Sequence, residues 1–268
     1  MHAPSPFDEL AETYDDDFTS SAIGQLQRKR VWKYLLPLVN ETGRPLNILE
    51  INCGTGADAM RLASMGHNII ATDASNAMIA KAKEKTSIDS VNIQFITCRF
   101  DQLGDHFAGQ KFDLIFSNFG GLNCIDKKAL GQLRDELGSL LTADGTLFFV
   151  VMGTYCMREI VHFGIRGKLK TAFRRLKRTN DLSVNGNSMP VYYYSPATLN
   201  KAFSAAFRLL QKQPIGLFIP PSYLEKRYVA DPNKLARLDK REEKFATPFF
   251  AGLADHYCAI FKKTGTAQ

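Results

Sequence analysis

No run of about eighteen apolar residues occurs in the chain, so it offers nothing of the length a membrane-spanning helix requires. Cysteine is sparse and scattered: Cys53, Cys98, Cys124, Cys156 and Cys258 are odd in number and form no Cys-x-x-Cys pair. That disfavours a disulfide framework and a zinc site alike, and no metal is expected. Neither an HExxH motif nor a GxxxxGK[ST] phosphate loop is present, so two common hydrolase chemistries lack their residues. The opening MHAPSPFDELAETYDDDF is acidic, without the basic-then-apolar order of a secretory signal. The expectation is a reduced, cytoplasmic protein.

What is there begins with charge. The 268 residues carry a formal net charge of +7. Between Arg158 and Arg178 lie eight basic residues against the single acid Glu159, which accounts for the whole excess. A protein that coats nucleic acid spreads its basicity further, and no RNA-binding module is evident, so nucleic acid is disfavoured as a partner. The segment 166–178 reads as a basic amphipathic helix with Leu169, Ala172, Phe173 and Leu176 on one side. A solvated face, an acidic partner and peripheral contact with an anionic membrane remain open for it.

Up to residue 152 short apolar runs alternate with helical patterns. Leu46–Ile51, Asn68–Thr72, Asn92–Thr97, Phe112–Ser117 and Thr146–Met152 read as buried strands, rich in Ile, Val and Phe. Ser75 and Asp126 are placed to cap the helices that follow them. This rhythm predicts an α/β fold, a doubly wound, mostly parallel sheet. Ahead of it, Ser5–Pro6 opens a first helix carrying Phe7, Leu10, Ala11 and Tyr14 on one face, and a second helix spans about 22–38. After residue 152 the rhythm breaks. Leu182–Tyr194 reads as a hairpin turning at Asn185–Gly186, Ser195 caps a helix, and strands are expected near Leu209–Ile219 and His256–Lys262.

The informative stretch is Ile48-Leu-Glu-Ile-Asn-Cys-Gly-Thr-Gly-Ala-Asp-Ala59, a strand entering Gly54-x-Gly56 and leaving as a helix. Its glycines let backbone approach a ligand. Asp73, nineteen residues beyond Gly54, ends the next strand, where a carboxylate can take ribose hydroxyls. Gly54-x-Gly56-x-x-Ala59 also fits a dinucleotide fingerprint. Glu50 argues against pyrophosphate, since an acid at the strand end suits a ligand with a positive centre. Arg99-Phe100-Asp101, Phe112-Asp-Leu-Ile-Phe-Ser-Asn118 and Leu141-x-x-Asp-Gly-Thr-Leu147 then follow in order.

Together these residues resemble the class I S-adenosylmethionine-dependent methyltransferases of small-molecule type, over roughly residues 46–152. The resemblance implies a Rossmann-like methyltransferase sheet with an antiparallel last strand and S-adenosylmethionine as cofactor. By that likeness Glu50, Gly54 and Gly56 line the methionine moiety, Asp73 the ribose, Phe100 and Asp101 the adenine, and Asn118 the floor. Asn52, Thr55, Ala74 and Met78 complete the set, Asp73-Ala-Ser-x-x-Met78 resembling the second-strand signature. The departure is Asn52-Cys53, where many members carry Gly-Cys. Tyr-Asp-Asp-Asp-Phe-Thr from Tyr14 resembles an N-terminal segment that closes over the cofactor.

The chain then divides into an N-terminal helical lid (1–40), a cofactor-binding core (41–153), a substrate-cap insertion (154–194) and a C-terminal part of the core (195–268) with a second cap insertion at 220–253. The cap is aromatic and basic. It points to a small, partly apolar or aromatic acceptor, methylated at oxygen or carbon, with an anionic end or a carrier. A base for such an acceptor is sought in His256 and His162, with Tyr155 as an orienting hydroxyl and Asn118 and Asn123 as hydrogen-bonding groups. A dinucleotide-dependent oxidoreductase and a non-catalytic cofactor-binding module remain the alternatives.

Overall fold

The computed structural model describes residues 7–86, 92–184, 187–229 and 231–264. Its strands are β1 (Asn47–Ile51), β2 (Asn68–Asp73), β3 (Ile93–Thr97), β4 (Phe112–Ser117), β5 (Leu141–Met152), β6 (Thr179–Val184), β7 (Asn187–Tyr192), β8 (Phe207–Ile215) and β9 (His256–Lys263). Seven form one sheet in the order β3-β2-β1-β4-β5-β9-β8, and β6 and β7 pair as a separate hairpin. β1 to β5 are mutually parallel, and β9 runs antiparallel between β5 and β8. The order reverses between β1 and β4, and the crevice at their carboxyl ends is where such a sheet binds ligands. No helix among the described residues is long and apolar enough to cross a membrane.

The helices are α1 (Ala22–Asn40), α2 (Ala57–Ser64), α3 (Asn76–Lys85), α4 (Leu103–His106), α5 (Lys127–Leu140), α6 (Met157–Gly164), α7 (Leu169–Ala172), α8 (Pro196–Phe203) and α9 (Pro232–Phe245). Three start where the sequence places a cap: Ser75 Oγ accepts from Met78 N, Asp126 Oδ1 from Ala129 N and Ser195 Oγ from Thr198 N. Period-two alternation divides the core between the sheet's faces. Leu49, Ile51, Ile115, Phe149 and Val151 pack under α5 and α8 with Leu130, Leu137 and Phe203. Ile48, Leu114, Phe116, Phe148 and Val150 face α1, α2 and α3 with Val31, Leu35, Leu62 and Ile79. Glu50 follows Ile48 on this second face and is the buried charge in an otherwise apolar row. The same alternation separates Tyr193, packed with Met189 and Val191, from its neighbours Tyr192 and Tyr194 against the first core.

Two helices expected from the sequence are not formed. The N-terminal segment makes a 3-10 turn at Asp8–Leu10 and a wide turn at Asp15–Thr19 rather than one helix, and Ser5–Pro6 lies outside the described residues. Its carboxylates are drawn to the body instead. Asp8 Oδ1 accepts from Ser75 Oγ at 2.5 Å, and Asp15 takes Thr55 Oγ1 and Lys85 Nζ, each at 2.6 Å. The basic segment is likewise broken: Gly167, at φ +69°, separates α6 from the single turn of α7, and Arg174–Lys177 form a 3-10 turn. Arg175 is pulled inward, where it donates to Glu159 and Asp255 at 2.6 Å each, which a continuous solvated helix would not allow. β8 ends at Ile215, short of the expected Ile219, and the turn at Asn185–Gly186 lies outside the described residues.

Residues 216–219 are turned away from β8 by one carboxylate. Glu242 of α9, buried, accepts from Gly216 N (2.8 Å), Leu217 N (3.0 Å), Phe218 N (2.6 Å) and Ile219 N (3.2 Å). The chain then supplies Ile219, Leu224 and Tyr228 to a small core closed by Ile23 of α1 and by Leu235 and Leu238 of α9. Arg30 and Lys29 of α1 both reach Asp239. Glu242→Ala leaves four donors without their acceptor. We expect it to lower stability by about 2–4 kcal/mol in urea unfolding, with a smaller loss for Glu242→Gln.

Candidate active site

β1 ends at Ile51 and the next residue turns in the left-handed region: Asn52 has φ +58°. Among side-chain-bearing residues, asparagine tolerates this conformation well. Here its amide also stitches β1 to β4, accepting from Ser117 Oγ at 2.5 Å and donating to Asn118 O at 2.6 Å. Gly54 (φ +55°) then brings its N–H to Asp73 Oδ2 at 2.9 Å, joining the ends of β1 and β2. Gly56 (φ +79°) starts α2 so close to β3 that an added Cβ would sit 2.6 Å from the Phe95 ring. The turn at position 52 is thus held by a side-chain tie rather than made by glycine.

In the first turn of α2, Asp58 collects donors from three directions. Trp32 Nε1 reaches Oδ1 at 2.7 Å, Asn118 Nδ2 reaches Oδ2 at 2.8 Å, and the Arg28 guanidinium closes an ion pair. Glu50 lies beside this cluster with its Oε2 buried and without a partner among the described residues. Burial, reinforced by the Asp58 charge, pushes the Glu50 carboxyl well above its usual range, with Arg28 opposing. Burial likewise raises Asp73, against the backbone N–H groups of Ser75 and Gly54.

The N-terminal segment closes the cleft. The Tyr14 ring lies over Gly54, within 3.4 Å of where a Cβ would be, and burial pushes its hydroxyl up, so it stays neutral. Phe18 meets Phe119 edge-on at 4.9 Å, and Arg28 lies over both rings. The cleft bounded by Tyr14, Arg28, Glu50, Asn52, Asp58 and Asn118 encloses only about 10 Å³, room for about one water.

His256, at the start of β9, meets Phe119 edge-on at 5.5 Å, and its Nδ1 is 3.2 Å from Asp255 Oδ2. Burial alone would raise the Asp255 carboxyl. The His256 and Arg175 charges outweigh burial and hold it far below the usual range. Gln27 Nε2 (3.0 Å) and Arg175 NH2 (2.6 Å) complete its partners.

Of the residues singled out in the sequence, Tyr14, Glu50, Asn52, Thr55 and Asn118 border one cleft, with Gly54, Gly56 and Asp73 forming the loop beside it. Four lie apart from that lining. Met78 is buried in α3, Ala74 follows Asp73, Phe100 packs on the core, and exposed Asp101 pairs with Arg99 at 3.0 Å. Asn118 and Asn123 are not available to an acceptor. The first donates to Asp58 and accepts from Phe119 N, and the second is spent on the backbone of Met152 and Tyr192. His162 keeps company with Arg158, Arg166 and Arg227, and Tyr155 is exposed. Arg28, Phe119 and Asp255 were not marked by any motif. Asp58 carried a signal, an acid one residue into the helix that leaves the glycine loop.

The profile of the Methyltransferase domain family matches residues 48–145. Over these residues the chain is similar to the class I S-adenosylmethionine-dependent methyltransferases. Within it, 103 residues are 32% identical to the tRNA 5-carboxymethoxyuridine methyltransferase of Escherichia coli K12, covering 37% of this chain and 40% of that protein. The chain thus spans less than half of that relative. The demethylmenaquinone methyltransferase of Bacteroides fragilis ATCC 25285 is 26% identical over 204 residues, 74% of this chain and 76% of that protein. In fold, the CcbJ methyltransferase from Streptomyces caelestis superposes with a TM-score of 0.64 over 98% of this chain and 100% of its own, at 14% identity.

The residues of this cleft fit S-adenosylmethionine in two respects. The orphaned Glu50 oxygen answers a cationic centre, and Asp73, exposed enough to be reached, answers hydroxyls. Because the raised Glu50 carboxyl holds its proton in the closed cleft, binding a cationic ligand should release it. Affinity for S-adenosylmethionine is therefore expected to rise with pH above the ordinary carboxylate range and to level off once the raised carboxyl ionises unaided. Titration calorimetry in buffers of different ionisation enthalpy should detect the proton, and Glu50→Gln should abolish both the release and the slope.

Proposed function

We propose that the protein is a methyltransferase that methylates oxygen or carbon of a small, partly apolar acceptor, with S-adenosylmethionine as donor. The observation that carries the cofactor reading is Glu50, a buried carboxyl with an unpartnered oxygen at the end of β1. It suits a positive ligand and repels a pyrophosphate, which weighs against the dinucleotide alternative. Bound there, the cofactor supplies an electrophilic methyl group on a sulfonium.

The chain's own residues do the rest. Tyr14 and Phe18 seal the cleft from water, and alignment of this kind can supply roughly 7–11 kcal/mol. Phe18, Phe119 and His256 border the approach. Only in its neutral form can His256 act as the base, with Nδ1 3.2 Å from Asp255 and Nε2 left to take a proton from the acceptor. Asp255, fixed by Arg175 and Gln27, holds that orientation. The names of the two relatives differ in acceptor, tRNA for one and demethylmenaquinone for the other, although both match this core. Acceptor choice therefore belongs to residues beyond the core. In this chain those are the aromatic and basic cap, which supports an acceptor with an apolar body.

Two measurements test this. Calorimetry should show S-adenosylmethionine and S-adenosylhomocysteine binding, weakened about 10- to 100-fold by Asp73→Ala. Binding of NAD(H) alone would overturn the reading. Against aromatic and acyl acceptors, His256→Ala should lower kcat about 10²- to 10⁴-fold while leaving S-adenosylhomocysteine affinity unchanged. Unaltered turnover in that variant removes His256 as the base.

A further inference from the structure

The segment 157–178 is built inside out. Among the residues of α6, the fully buried one is the charged Glu159, while Met157 and Val161 are exposed. The pattern continues beyond it: Ile165 is 77% exposed and Leu169 60%, with Phe173 and Leu176 also in solvent. Ions hold the segment from beneath. Arg174 and Arg175 pair with Glu159, Arg175 also with Asp255, and Arg158 donates to the Tyr228 hydroxyl at 2.6 Å. With polar groups turned inward and large apolar groups turned outward, the exposed side is shaped for a medium other than water.

Charge decides which medium. Arg166, Lys168, Lys170, Lys177 and Arg178 are all exposed, and residues 160–178 contain no acid. Every residue from Ile165 to Lys170 is exposed, so this turn stands clear of the body. In Ile165-Arg-Gly-Lys-Leu-Lys170 apolar and basic residues interleave. Lysine is depleted from the cores of protein interfaces. At a bilayer the interleaving is an advantage, because the apolar groups enter the acyl boundary while lysine and arginine snorkel to anionic headgroups.

We infer that 157–178 is a docking surface for an anionic lipid bilayer. It leaves the sheet directly after β5, and through Arg175 and Asp255 it is tied to His256, so docking brings the cleft to the membrane. Resting on the proposed methyl transfer, this deepens it: the acceptor is a membrane-resident amphiphile. The docking itself does not depend on that reading.

The test is co-sedimentation of the whole chain with vesicles of phosphatidylglycerol and phosphatidylcholine, against phosphatidylcholine alone. Binding is expected to the anionic vesicles, reduced by salt. The pair Ile165→Asp with Leu169→Asp should weaken it at least tenfold, and so should Lys168→Glu with Lys170→Glu. Both pairs are solvent-exposed, so unfolding midpoints and S-adenosylmethionine affinity should be unchanged, which confirms that each variant is folded. Absence of vesicle binding, or binding indifferent to either pair, overturns the inference. So does a concentration-dependent dimer in ultracentrifugation that the apolar pair dissolves, since the face would then belong to a second copy. If vesicles bind but S-adenosylmethionine does not, the docking stands and the methyl-transfer reading falls.

Discussion

The carboxylate of Asp58 receives the Arg28 guanidinium and Trp32 indole from α1 and the Asn118 amide from the end of β4, while itself belonging to α2. Three elements far apart in sequence are fixed by one side chain that is 4% exposed. At such burial each donor matters, because a lost partner leaves a desolvated group unpaired. The rest of the cleft follows. Arg28, held in place, supports the rings of Phe18 and Phe119. The Asp58 charge beside Glu50 raises the latter's carboxyl. A structural ion pair and a carboxyl raised above its usual range are two results of one placement.

Much of this architecture was legible in the sequence, and the physical reason is local. The parallel strands announce themselves as continuous apolar runs, and Ser75, Asp126 and Ser195 cap helices through bonds spanning three residues. Glu50, Gly54, Gly56 and Asp73 were legible because a strand-turn-helix gathers sequence neighbours around one loop. Arg28 was not, since its position follows from how α1 crosses the sheet. The expected helix over 166–178 failed for the same reason in reverse. Its side-chain pattern was helical, but Glu159 and Asp255 claimed Arg175 at 2.6 Å each and Gly167 released the chain to reach them.

Acids at the N-terminus and bases in the cap perform opposite work. Asp8 and Asp15 hold a light segment against Ser75, Thr55 and Lys85 by a few exposed or half-buried bonds. Such contacts are individually weak and salt-sensitive. Arg175, by contrast, is 5% exposed between two carboxylates, and the burial that would otherwise weaken its charge is outweighed by Asp255 first. The N-terminal segment is held by bonds that break readily, residues 157–178 by bonds that do not.

β9 follows every other strand in the chain and yet lies inside the sheet, between β5 and β8. During synthesis on the ribosome, β5 and β8 therefore emerge as two unsatisfied edges with a gap of one strand between them. Residues 256–263 close that gap, and the same insertion sets His256 against Phe119, a residue of the cleft. Insertion of β9 thus closes the sheet and sets His256 in place as one event. A nascent chain already able to form the glycine loop would still leave the sheet open between β5 and β8.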